Sequence, residues 1–308
     1  MREYQAFGMH IESEVALALP LAPRSDAHSL GHGKSSGGAY PEWRVSIGLG
    51  SVKSDPTLMQ TLGRIRYGES GDDIQMEVPW AGRYRVRGDS RIDVEPKPAA
   101  DEQIVGLYIT GLVLSFLLRR HSFLTLHGSA VTGPHGAFAF LGDRGSGKST
   151  TAAALTHAGY DILCDDVIPV ATGPVVFPGI PFPMLLPDAY ERLIGDTALA
   201  SHLFNGIDKY KVELAASNTP SPLCSIFILE PRDVPHLEIL PLRGCAKIAA
   251  LFPHICSSPG IDDSRELFAR STERLGPIPV FRVWRPIAGD SLSEFTGKIV
   301  RMDKGECA

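Results

Sequence analysis

Cysteine is sparse and scattered. The five cysteines, Cys164, Cys224, Cys245, Cys256 and Cys307, are odd in number, and no two stand at metal-ligand spacing. That pattern argues against a zinc module or a disulfide framework and fits a reduced, cytoplasmic setting. Positive charge is not in excess: 30 Lys and Arg face 35 Asp and Glu, for a net charge of −5 at pH 7. No electrostatic footprint for nucleic acid is present. Long apolar runs are also missing. The most apolar stretch, residues 104–118, carries Thr110, Ser115 and two glycines, which reads as a buried helix rather than a membrane span. The first residues, Met1, Arg2, Glu3 and Tyr4, lack the apolar core of a signal peptide. Neither internal repeats nor heptads occur. What remains is 308 residues at 44% hydrophobic and 21% charged content, enough for a sizeable core in one large or two ordinary domains.

The chain reads as an α/β protein with a small, mostly β domain over residues 1–95. Trp43, Val45, Ile47 and Leu49 alternate onto one strand face, and residues 84–88 and 91–95 read as strands joined through Gly88, Asp89 and Ser90. Arg83, Arg85 and Arg87 share one face, which reads as a solvated row. Residues 25–38 are rich in Ser, Gly and His and read as a loop. Gly31 to Ser35 mimics a phosphate loop there, but His28 occupies the position that would need glycine, and no buried strand precedes it. Pro96 and Pro98 mark a boundary, and residues 99–308 read as a second domain. It opens with a helix over 99–120 in which Ile104, Leu107, Leu114 and Leu118 share a face. A strand over 123–131 with His127 near its middle comes next.

The centre of the second domain is residues 138–151. Phe138, Ala139, Phe140 and Leu141 form a continuous apolar run, as in a fully buried strand. Gly142, Asp143, Arg144, Gly145, Ser146, Gly147, Lys148 and Ser149 then spell a complete phosphate-binding loop, and Thr150 onward reads as a helix. Glycines let successive N–H groups face one anion, and the helix start adds donors and partial positive charge. Lys148 can reach the β- and γ-phosphates, and the Ser149 hydroxyl can ligate Mg²⁺. Next comes a strand over 160–164, ending in Asp165 and Asp166, and residues 167–170 continue it. Two adjacent acids permit two jobs: steadying a metal, and accepting a proton from an attacking hydroxyl. His127 could lie beside them and orient a carboxylate.

Residues 126–131, the loop 142–149 and residues 163–166 resemble the catalytic core of the HPr serine kinase/phosphorylase family. That family carries its phosphate loop in a fold related to ATP-dependent phosphoenolpyruvate carboxykinase. The resemblance covers residues 122–170 most specifically. It implies an HPr kinase/PEP carboxykinase-like P-loop core, ATP and Mg²⁺ as cofactors, Lys148 and Ser149 on the triphosphate and metal, Asp165 as the base paired with His127, and Asp166 supporting the metal. The family's arginine–glycine and glycine–arginine–asparagine segments are missing, with Pro241 to Arg243 only a fragment. That argues against assigning phosphatase activity or HPr itself as substrate.

Residues 6–14, the long helix before His127 and residues 178–186 are similar to a divergent branch of the family. The branch includes tailoring kinases of lasso peptide clusters, which phosphorylate the C-terminal serine of a precursor peptide. The expectation is therefore a Mg²⁺/ATP-dependent serine kinase with a nucleotide and a lasso precursor peptide as partners. The alternatives are a regulatory protein-serine kinase of the HPr-kinase type and a nucleotide switch or ATPase with no phosphoryl acceptor. The sequence leaves monomer and homo-oligomer both open.

Overall fold

The computed structural model describes residues 1–22, 43–195, 200–204, 207–257, 263–287 and 289–306; for Leu62, 200–204, 207 and 208 it describes the backbone alone. The glycine-rich stretch 25–38 lies outside the described residues. The chain divides into two compact units, Met1–Val113 and Leu114–Ala308.

The first unit is built on one eight-stranded sheet: β1 (Arg2–Ala6), β2 (Met9–Ser13), β3 (Trp43–Leu49), β4 (Gln60–Leu62), β5 (Ile65–Ser70), β6 (Asp73–Val78), β7 (Gly82–Arg87) and β8 (Arg91–Pro96). Their order is β1-β2-β3-β8-β7-β6-β5-β4. β3 runs parallel to both β2 and β8, and the other pairs are antiparallel. Period-2 alternation buries Val45 and Ile47, Tyr84 and Val86, and Ile92 and Val94. The arginine row of β7 is met by carboxylates on its neighbours: Arg83 by Glu95 at 3.8 Å, Arg85 by Asp73 at 2.6 Å, and Arg87 by Asp93.

Residues 101–113, expected with the second domain, pack in the first unit. Asp101 caps α1 (Glu102–Tyr108) through the Gln103 amide. Glu102 binds Arg2 and the Ala16 amide. Gly106 lies so close to the Ala16 carbonyl that a Cβ there would stand 2.0 Å from its oxygen. A π-helical stretch, Ile109–Val113, leads into α2 (Leu114–Arg120). The whole stretch Glu102–Arg120 is long and apolar enough to cross a membrane by length and composition, and 61% of its apolar window is buried in the protein.

The second unit holds β9 (Leu124–Gly133), β10 (Gly136–Leu141), α3 (Lys148–Thr156), β11 (Asp161–Ala171), β12 (Val175–Val176), β13 (Met184–Leu185), α4 (Pro187–Leu193), β14 (Ala200–Phe204), β15 (Ile207–Val212), β16 (Ser221–Arg232), β17 (Glu238–Leu242), α5 (Gly244–Leu251), α6 (Ser264–Leu275), β18 (Val280–Pro286) and α7 (Leu292–Asp303). β10 is central, antiparallel to β9 and parallel to β16, which pairs in turn with β18. β11 lies on the far side of β9, and short β12 bridges β11 and β16. β13, β15 and β14 form a separate three-stranded sheet.

Alternation along β10 sends Ala137, Ala139 and Leu141 to one face, where Leu251, Leu267 and Leu275 of α5 and α6 cover them. Phe138 and Phe140 go to the other face, under Ala152 and Leu155 of α3 and Phe295 and Ile299 of α7. The sheet is thus covered on both faces, which is why β10 reads as an unbroken apolar run. α7 was not anticipated, although Leu292, Phe295 and Ile299 stand at helical spacing.

Candidate active site

The loop between β10 and α3 turns on three glycines with positive φ, Gly142 (140°), Gly145 (85°) and Gly147 (92°). A side chain at Gly142 would be strained by its dihedral and would place Cβ 2.5 Å from the Leu229 carbonyl oxygen. Lys148 opens α3, and its ammonium donates to the carbonyls of Gly142 (2.8 Å) and Asp143 (3.1 Å). Burial pulls the Lys148 pKa down, while Asp165 and Asp166 oppose that fall. Asp143 and Arg144 are exposed, Arg144 at the lining of the adjoining cleft, and the buried Ser146 hydroxyl has no hydrogen-bond partner among the described residues.

The loop forms one side of a cleft of about 300 Å³ that also takes in His127, Ser129, Thr150, Asp165, Asp166, Met184, Leu186 and Lys209. The acid pair lies inside its strand, which runs on past it as expected. β11 continues to Ala171, pairing Asp165 with Ser129, Asp166 with Gly128 and Val167 with His127. In a regular strand the two carboxylates would face opposite ways. Asp166 instead takes a left-handed φ of 71°, which breaks the alternation, and both acids line the same cleft. Aspartate is among the few residues besides glycine that tolerate this region.

The two acids have different partners. Asp165 is 2% exposed and accepts from the hydroxyls of Ser129 and Ser149 (3.0 Å) and from the Met184 amide (3.2 Å). Burial raises its pKa, with the hydroxyls working the other way. Asp166 faces His127, whose Nδ1 lies 3.3 Å from Oδ1. Burial alone would raise the Asp166 pKa, but His127 first, then Lys209 and Lys148, hold it below the usual carboxylate range. His127 in turn is raised by Asp166, against the opposing effect of burial. The expected pairing of His127 with Asp165 is therefore corrected: the β9–β11 register and the turn at Asp166 bring His127 to Asp166, while Asp165 goes to Ser149.

The donor set suits Mg²⁺ and a polyphosphate. Ser149 and Asp165 offer hard oxygen ligands, the glycines leave the backbone open to an anion, and the orphaned Ser146 hydroxyl adds an unused polar group within the loop. Among the described residues no group of three His, Cys, Asp or Glu gathers as a self-sufficient metal site. Ser129 and Met184 fall within the resembling stretches 126–131 and 178–186 without having been singled out, while Lys209 in the cleft and Arg285, whose Nη1 lies 2.9 Å from where a Gly147 Cβ would stand, carried no local motif.

No protein-family model matches the chain, and no curated protein matches it. Among solved structures it is similar to the Hpr(Ser) kinase/phosphatase from Coxiella burnetii, at 17% identity and a TM-score of 0.32, over 59% of this chain and 91% of that one. A similarity this loose assigns neither activity nor substrate.

Proposed function

We propose that this protein is a Mg²⁺/ATP-dependent kinase that phosphorylates a serine hydroxyl on a peptide. The C-terminal serine of a lasso precursor is the acceptor to which the sequence resemblance points. The observation that carries the reading is the division of the acid pair, with Asp165 on the Ser149 hydroxyl and Asp166 on His127. Ser149 and Asp165 would hold Mg²⁺, which when bound neutralises charge on the β- and γ-phosphates. Lys148 exchanges its carbonyl contacts for phosphate oxygens. Asp166, kept ionised, takes the serine proton as the serine oxygen bonds to the γ-phosphorus and the bond to the bridging β–γ oxygen breaks, releasing ADP. His127 orients Asp166 by donating from Nδ1 to its carbonyl oxygen at 3.0 Å. A plain ATPase would aim the same base at water instead of a serine, so the acceptor that takes the label separates the two readings. Incubation with labelled ATP, Mg²⁺ and a panel of serine peptides tests the reading. Label is expected on a peptide serine with wild type and absent with Asp166→Asn; label released only as inorganic phosphate would overturn it.

A further inference from the structure

Lys209 stands apart from every motif in the sequence, yet it lines the cleft with Lys148, Ser149, Asp165 and Asp166. It arrives on β15. The antiparallel ladder pairs Met184 with Lys211 and Leu185 with Tyr210. β13 is itself tied to the acid strand: the Met184 amide donates to Asp165 at 3.2 Å, and the Asp165 amide donates to the Ile180 carbonyl at 2.7 Å. Tyr210, next in the strand, packs on Tyr190 of α4 with ring centroids 4.7 Å apart. These contacts fix the backbone on which Lys209 stands.

The neighbouring cation is already engaged. Lys211 sits 3.7 Å over the Phe182 ring and 3.8 Å from Glu213. Lys209 makes no hydrogen bond or ion pair among the described residues, although it is half-buried in a cleft that also holds two carboxylates. Its charge is felt by both Asp166 and Lys148. An uncommitted cation held by a packed strand, in the same cleft as the loop lysine, suits a charge that arrives with substrate. Charge in phosphoryl transfer spreads over the three equatorial oxygens of the moving group. Preplaced donors on those oxygens act without reorganisation.

We propose that Lys209 is a further catalytic residue of this site, contacting the γ-phosphoryl group of bound ATP from the β13–β15 side of the cleft. The assignment rests on the kinase reading above and adds to it a second cation supplied from a separate sheet.

The test compares equilibrium binding of MgADP and of Mg²⁺ with AMP-PNP, a non-hydrolysable ATP analogue, to wild type, Lys209→Gln, Lys209→Arg and Lys211→Gln. Lys209→Gln should keep near-normal MgADP affinity and lose at least about tenfold for AMP-PNP, the scale of one charge-assisted contact. Lys209→Arg should recover part of that loss, and Lys211→Gln should change neither affinity selectively. Unchanged affinities in Lys209→Gln, or equal losses for both nucleotides, would overturn the Lys209 assignment and leave the kinase reading standing. Failure of the wild-type protein to bind either nucleotide would overturn both.

Discussion

His127 Nδ1 lies 3.0 Å from the backbone carbonyl oxygen of Asp166 and 3.3 Å from its carboxylate. A carbonyl oxygen only accepts, so Nδ1 carries the proton, and Nε2 is the nitrogen free to change state. The arrangement fixes the imidazole against one acid and leaves the other acid to the loop serine.

That geometry separates the two aspartates experimentally. Asp166→Asn should cut turnover by about 10²–10⁴-fold, the usual share of general base catalysis. Nucleotide affinity should hold, and added Mg²⁺ should give no rescue. Asp165→Asn should instead raise the Mg²⁺ concentration needed for activity. Turnover and nucleotide affinity across a Mg²⁺ titration read both; rescue of Asp166→Asn by excess Mg²⁺ would reverse the assignment.

Lys148→Ala removes a charged phosphate contact worth about 1.5–3 kcal/mol in binding. Calorimetric titration with MgATP should show that loss, and turnover should fall further. Phosphorylation at the wild-type rate would mean that this loop is not the one that works.

Gly128→Ala tests the close approach of strands beneath the acids. A Cβ there would stand 2.4 Å from the Phe140 carbonyl oxygen and 2.9 Å from Ile168 Cδ1. Overpacking of this kind costs about 1–3 kcal/mol. The denaturation midpoint should drop accordingly, and an unchanged midpoint would contradict the packing of β9 against β10.

The His127–Asp166 pair should also leave a mark on stability. The folded His127 pKa is raised above its ordinary 6.5, by Asp166. Its contribution is then fully present below 6.5 and fades as pH rises through the raised folded value. Urea unfolding across about pH 5 to 9 should show wild type losing stability in that window relative to His127→Gln. Parallel curves for the two proteins would mean that the pair is not coupled to folding.

The sequence by itself determined the local parts of the site. Strand, glycine loop and helix are adjacent in the chain, and each glycine, Lys148 and Ser149 carries its reason in its own residue type. The alternation of residues 43–49, 84–88 and 91–95 was legible too, because side-chain period follows from backbone geometry alone. Only the tertiary structure decided which acid serves which partner. That depends on the β9–β11 register, shifted between Ile162 and Cys164, and on a left-handed turn at Asp166 that no neighbouring residue demands. Lys209 was hidden for the same reason. It lies 43 residues beyond Asp166, and what brings it to the cleft is the pairing of β15 with a two-residue strand. That strand is anchored by one amide on Asp165, a long-range contact with no local pattern to announce it.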